Sequence, residues 1–244
     1  MPGFSSGMAN VSRDEQRHIG FGVKVLSELL DLDRPGAEEC RAAVVELLRE
    51  VLPYGPAVFC PPEMNREYTE CYSFSLEDIF GFGTKLIRQR WRTIGFPTED
   101  FPPGVFPFDP EVSPEEVAAR QVKLMMAGVL GPPNGGSPDS SPETQRLYFD
   151  VITRVADPAA VDGGQLVYQW RFTDAAPWHL IIDNGSTRAE PGEAPDPDVV
   201  IESTWGDWLA SAKPDANRLK FLLPRRIRPR GKLRELARMR KVFR

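Results

Sequence analysis

The sequence predicts an α+β protein: a helical N-terminal region, then a domain with a small, mainly antiparallel sheet covered by helices. Three observations predict it. Before residue 131, apolar residues recur at helical spacing behind Ser and Pro start signals. Residues 165–173, QLVYQWRFT, put Leu166, Tyr168, Trp170 and Phe172 on one side and Val167, Gln169, Arg171 and Thr173 on the other, the period of two of a half-buried strand. Asn184-Gly185 then separates two short runs, and a type I′ hairpin needs positive φ at both of its central residues. Between the two parts lies GPPNGGSPDSSP, residues 131–142, without apolar periodicity. It is expected to be an exposed linker between a region at 1–130 and a domain at 143–244.

The N-terminal elements follow in order. MPGFSSGMANVSRDEQ has no basic stretch leading into an apolar one, so it reads as a loose tail rather than a secretory signal, with Met8 as an alternative start. Ser12 and Glu15 form a capping box for a helix carrying Ile19, Val23, Leu26 and Leu30 on one stripe. Pro35 suits a first helical position, and residues 37–52 repeat the apolar spacing until Pro53. Ser75 caps LEDIFGFGTKLIRQRW, in spite of Gly81 and Gly83, each costing about 1 kcal/mol in a helix interior. Ser113, Pro114 and Glu116 start a helix expected to end at Gly131. Two aromatic, Pro-rich stretches lie between these helices. In the second, Phe96, Phe101, Phe106 and Phe108 are too apolar to stay in water, so contact with the sheet domain is expected.

After the linker, Ser141-Pro142 opens an amphipathic helix, SPETQRLYFDVITRVAD. The alternating strand follows, and Trp178, Leu180 and Ile182 continue its buried face in the next strand. Val199 and Ile201 supply another strand, TWGDWLASA a helix, RRIRP a short strand, and residues 231–243 a last basic helix.

This order of elements in residues 143–244, with PDPDVVIES before TWGDWLASA and RIRPRGKLRELARMRKVF at the end, resembles the sterol carrier protein type two family. The resemblance covers about 100 residues and departs at Lys213-Pro214, where a glycine is usual, and at RPRGK, where a Gly-Asp pair often sits. It implies a five-stranded sheet whose helices enclose an apolar tunnel for sterols, fatty acids or acyl chains. Trp170, Phe172, Trp178, Leu180, Trp205 and Trp208 are the candidate ligand-binding residues. Such rings line cavities of roughly several hundred cubic ångströms. They also fill ordinary cores, where each buries about 150–250 Å².

Charge and motifs narrow the alternatives. Residues 218–244 hold twelve Lys/Arg and one acid, Glu235, leaving 18 basic against 34 acidic residues before them, a net of −16. This basic segment lacks the interleaved aromatics that stack bases, so nucleic acid is not the expected partner. Leu233, Leu236, Met239 and Phe243 give its helix an apolar stripe that docks on the domain, or meets an anionic lipid surface or an acidic protein. No apolar run reaches 18 residues, so no membrane span is expected. Three cysteines (Cys40, Cys60, Cys71) do not make a disulfide framework, and they and the two histidines (His18, His179) give no metal spacing beyond a remote Cys60–Cys71–His set. A cytoplasmic protein without metal or cofactor is expected. For catalysis, His179 with Asp183 offers a histidine–carboxylate pair. Glu67, Glu70, Glu77 and Asp78, near Tyr68, Cys71 and Tyr72, offer an acid or base if desolvated, and otherwise a solvated face. GFGTKL lacks the preceding strand of a phosphate loop. No catalytic residue is assigned. The expected function is binding or carriage of an apolar small molecule (lipid, sterol, polyketide or acyl chain). The alternative is an enzyme on a hydrophobic small molecule, its pocket completed by the N-terminal region.

Overall fold

The computed structural model describes residues 2–51, 74–103, 110–130, 137–161, 163–183, 185–213 and 216–243. Helix α1 (Pro2–Leu29) is longer than its sequence signals suggest, and Ser12 lies in its interior rather than at its cap. No proline interrupts residues 3–29, so helix propagates back through the expected loose tail. Residues 3–21 stay exposed. Helices α2 (Ala37–Val51) and α3 (Leu76–Thr93) follow, then a 3₁₀ turn (Thr98–Asp100) and α4 (Pro114–Met126). Ser75 and Asp78 form the reciprocal capping box of α3, and Ser113 caps α4. Helix α4 stops before Gly131: the amides of Gly128 and Val129 turn back to the carbonyls of Met125 and Leu124, satisfying its last turn.

The N-terminal helices build a small core of their own. Leu30, Ile94, Phe96 and Phe101 are buried, with Val23 and Leu26 of α1 and Val44, Val45 and Leu48 of α2 against them. Trp91 meets Phe96 and Phe101 edge-on at 5.9 and 5.1 Å. This corrects one expectation: Phe96 and Phe101 are covered by their own region, not by the sheet domain. Phe106 and Phe108 lie outside the described residues.

The second part comprises α5 (Pro142–Val155), a 3₁₀ turn (Pro158–Ala160), β1 (Gln165–Phe172), β2 (Trp178–Asp183), β3 (Ser186–Pro191), β4 (Val199–Ser203), α6 (Trp205–Ala212), α7 (Leu219–Leu222), β5 (Arg228–Gly231) and α8 (Leu233–Val242). The sheet order is β3-β2-β1-β4-β5. Every pair is antiparallel except β1–β4. Asp183 pairs with Ser186 across the β2–β3 hairpin, and Gly185 has φ +82° as such a tight turn demands; Asn184 is outside the described residues.

The parallel pair arises because the chain leaves edge strand β3 and crosses back over one sheet face before entering β4. Gln169, fully buried, holds that crossing. Its Nε2 donates to the carbonyls of Trp170 and Trp178, and its Oε1 accepts the Ala194 amide at 2.6 Å. Arg171 pairs with Glu193 at 2.8 Å, and the Val167 amide donates to the Asp198 carboxylate at 3.1 Å. At the far edge, Gly231 (φ +137°) pairs with Val199, and a Cβ there would collide with the Asp198 carbonyl. Only glycine fits.

The main core lies between the other sheet face and α5, α6 and α8, and Leu124, Ala127 and Val129 at the end of α4 join it. Of the compositional linker, residues 131–136 are outside the described set. The rest is tied down: the Asp139 amide donates to the Ala127 carbonyl at 2.8 Å, and the Asp139 carbonyl accepts the Trp205 indole N–H at 3.0 Å.

Candidate functional site

The alternation of β1 decides what faces the helices. Trp170 stands opposite Trp178 on β2 and Ile201 on β4, Tyr168 opposite Leu180, and Phe172 opposite Ser203. Side chains directly across a sheet share a face, so the candidate residues of the strands converge. Phe149 of α5 stacks on Trp178 with centroids 4.7 Å apart and planes at 6°. Trp170 meets Phe149 at 5.3 Å and Trp208 of α6 at 5.5 Å, both edge-on. Trp205 sits edge-on between Phe172 (5.2 Å) and Tyr148 (5.1 Å). Trp170, Phe172, Trp178, Leu180 and Trp205 are buried, and Trp208 is partly buried against them. All six candidates thus belong to one cluster. Phe243 of the C-terminal stripe joins it, and Phe149 and Tyr148, which the sequence reading does not single out, complete it; the amphipathic pattern of α5 is the signal for these two.

The polar atoms of this face are unevenly satisfied. Trp208 donates its indole N–H to the Tyr148 hydroxyl at 2.8 Å, Trp205 to Asp139, and the Tyr168 hydroxyl to the Glu235 carbonyl at 3.2 Å. Trp170 is fully buried and its Nε1–H has no hydrogen-bond partner among the described residues. Neither has the Ser203 Oγ, nor the Gln145 Oε1, although the Gln145 Nε2 donates to the Ala176 carbonyl at 3.2 Å. Burial pushes the Tyr148 phenol well up from its ordinary range, only partly offset by the Trp208 N–H. Burial does the same to Tyr168. Both stay neutral, so neither offers a charge to catalysis near pH 7. The face is apolar and aromatic, with a few unpaired polar atoms.

The catalytic candidates among the described residues do not converge on it. His179 lies on the opposite face, its Nδ1 3.2 Å from the Gly192 carbonyl and its Nε2 3.8 Å from Glu190 on β3. Its carboxylate neighbour is therefore Glu190, not Asp183: residues four apart on one strand stand roughly 13 Å apart. Asp78 is used by the α3 cap, where the Ser75 amide and hydroxyl hold its carboxyl below the usual range. GFGTKL lies inside α3 and exposes no phosphate-binding loop. Glu67, Tyr68, Glu70, Cys71, Tyr72 and Cys60 fall outside the described residues. Among the described residues no helix is long and apolar enough to cross a membrane.

Helix α8 docks as its stripe predicts. Val242 is buried, and Leu236, Met239 and Phe243 pack against the sheet core, whereas Leu233 at the start of the helix is exposed.

No protein-family model matches the chain, and no curated protein matches it. Solved structures do. The apo form of sterol carrier protein 2 from Yarrowia lipolytica aligns over 40% of this chain and 87% of its own length, at 16% identity and a TM-score of 0.31. A UbiJ-SCP2 ubiquinone synthesis protein aligns over 35% of this chain and 69% of its own, at 10% identity and a TM-score of 0.28. A stereoselective inverting sec-alkylsulfatase from Pseudomonas sp. aligns over 83% of this chain at 16% identity and a TM-score of 0.35, but over only 30% of its own length. This chain therefore spans under a third of that enzyme. The C-terminal part of the chain is similar to sterol carrier domains, the resemblance its sequence carries.

Proposed function

We propose that residues 143–244 bind an apolar small molecule (a lipid, sterol, polyketide or acyl chain) against the aromatic face of the sheet, with Trp170, Phe172, Trp178, Leu180, Trp205 and Trp208 as its contacts. One observation carries this reading: the Trp170 N–H is fully buried at the centre of the aromatic cluster and lacks an acceptor among the described residues. A buried donor left unpaired costs about 1–3 kcal/mol, and a carbonyl or hydroxyl oxygen on a bound molecule would remove that cost. The ligand is then mostly hydrocarbon with an oxygen acceptor. Titration of the full chain with long-chain fatty acids and sterols, followed by tryptophan emission, tests it. Emission should shift, and Trp170→Phe should weaken binding of an oxygen-bearing ligand about tenfold. If no member of such a panel alters emission, the reading fails.

A second reading, an enzyme whose pocket is completed by the N-terminal region, is favoured by one contact: Leu124 of α4 and Ala127 and Val129 just after it share the core cluster of the sheet. A chain reduced to residues 131–244, which lacks these three residues, its folding checked by circular dichroism, separates the two. A carrier keeps its affinity within a few-fold, whereas the enzyme reading requires strong weakening and loss of turnover.

A further inference from the structure

Docking covers Leu236, Met239 and Phe243 of the α8 stripe, and the basic segment exposes further apolar surface elsewhere. In α7 and the residue after it, Leu219, Leu222 and Leu223 are 59%, 41% and 79% exposed. Their spacing of i, i+3, i+4 places all three on one side of a helical turn. The opposite side is held inward by Phe221, which packs on the sheet core with the Arg226 guanidinium 5.0 Å from its ring. The leucines are therefore a presented face of an anchored turn.

The charges around them divide into two groups. Arg226 pairs with Asp207, Arg230 with Glu202 and Lys232 with Asp198, fastening the segment to the acidic body. Arg218, Lys220 and Arg225, flanking the three leucines, have no acidic partner among the described residues. Arg225 also holds φ +59°, a left-handed conformation that a glycine would adopt without strain. An arginine kept there at an energetic cost is consistent with use of its side chain.

Exposed leucines ringed by cations that have no acidic partner among the described residues fit a surface that is apolar below and anionic above. The geometry points to α7 and its following turn as a docking site for an anionic lipid bilayer, with the leucines entering the acyl boundary and Arg218, Lys220 and Arg225 meeting the headgroups. A basic residue near an anionic surface strengthens partitioning about fivefold, and buried leucine side chains add to it. Such docking would set the domain on the membrane from which an apolar ligand is taken. It stands independently of whether the aromatic cluster binds one.

Co-sedimentation of the full chain with phosphatidylcholine vesicles, with and without about 30% phosphatidylglycerol, tests this. The chain should pellet with the anionic vesicles, at least tenfold more than with neutral ones, and raised salt should release it. Leu219→Ser/Leu222→Ser/Leu223→Ser and Lys220→Glu/Arg225→Glu should each reduce binding at least tenfold without changing the melting profile. The second variant leaves the apolar face intact, so it keeps the test valid if the first folds poorly. Absence of binding to anionic vesicles, or equal binding by Lys220→Glu/Arg225→Glu, overturns the proposal. So does self-association of the wild-type chain on size exclusion that the leucine variant abolishes, which would assign the face to a second copy.

Discussion

The indole of Trp205, the first residue of α6, donates to the main-chain carbonyl of Asp139 at 3.0 Å, while the Asp139 amide reaches the Ala127 carbonyl at the end of α4. One residue of a Pro- and Ser-rich stretch thus joins the last N-terminal helix to the helix that follows β4. Trp205→Phe removes the N–H and part of a fully packed ring. Destabilisation of about 2 kcal/mol is expected from the lost bond and the volume left behind. Urea unfolding followed by circular dichroism checks it, and a change below about 0.5 kcal/mol would refute it.

The Asp139 carboxylate gives a pH dependence. Hydrogen bonds from the Ser141 and Thr144 hydroxyls hold it below the ordinary 3.8. A carboxyl depressed in the folded state stabilises above its unfolded pKa, and that contribution is lost as pH falls through the folded value. Below about pH 4 the wild-type chain should therefore lose stability that Asp139→Asn already lacks at pH 7. Melting temperatures measured from pH 7 to pH 3 should converge for the two chains at the acid end. Curves that run parallel throughout would contradict the assignment.

Gln169 is a second hub. Its amide donates to the carbonyls of Trp170 and Trp178, and it accepts from Ala194. Gln169→Leu keeps the volume but leaves those buried groups unpaired, for an expected loss of about 3 kcal/mol. Because the crossing segment at 192–198 rests on this residue, its amides should lose hydrogen-exchange protection before those of β1. Uniform loss across the sheet would show that Gln169 has no special hold on the crossing.

What the sequence made legible was local chemistry. The caps at Ser75, Ser113 and Ser141, the alternation of β1 and the hairpin at Gly185 all depend on neighbours within a few residues, and all stand in the structure. The early stop of α4 lies equally near, in Gly128, whose φ of +71° ends the helix three residues before the Pro-rich run at Gly131. The parallel pairing of β4 with β1 was not legible, because it depends on Gln169 reaching a loop 25 residues away. Phe96 and Phe101 were misplaced for the same reason: their hydrophobicity demands a partner without naming one, and Leu30 and Trp91 supply it. Among the six candidate residues, the strand period sorts Trp170, Phe172, Trp178 and Leu180 onto one face, whereas Trp205 and Trp208 reach that face from α6. The missing acceptor of Trp170 became visible only with three-dimensional packing.

Whether that aromatic face holds a molecule is tested most directly by native mass spectrometry of the freshly purified full chain, before and after delipidation. The account predicts a bound apolar mass at near one-to-one stoichiometry, removed by delipidation and restored by a ligand carrying a carbonyl or hydroxyl oxygen on a long hydrocarbon. Restoration should be weaker in Trp170→Phe. A chain that appears at its sequence mass throughout, and takes up neither fatty acid nor sterol, would contradict the account and leave the rings as an ordinary packed core.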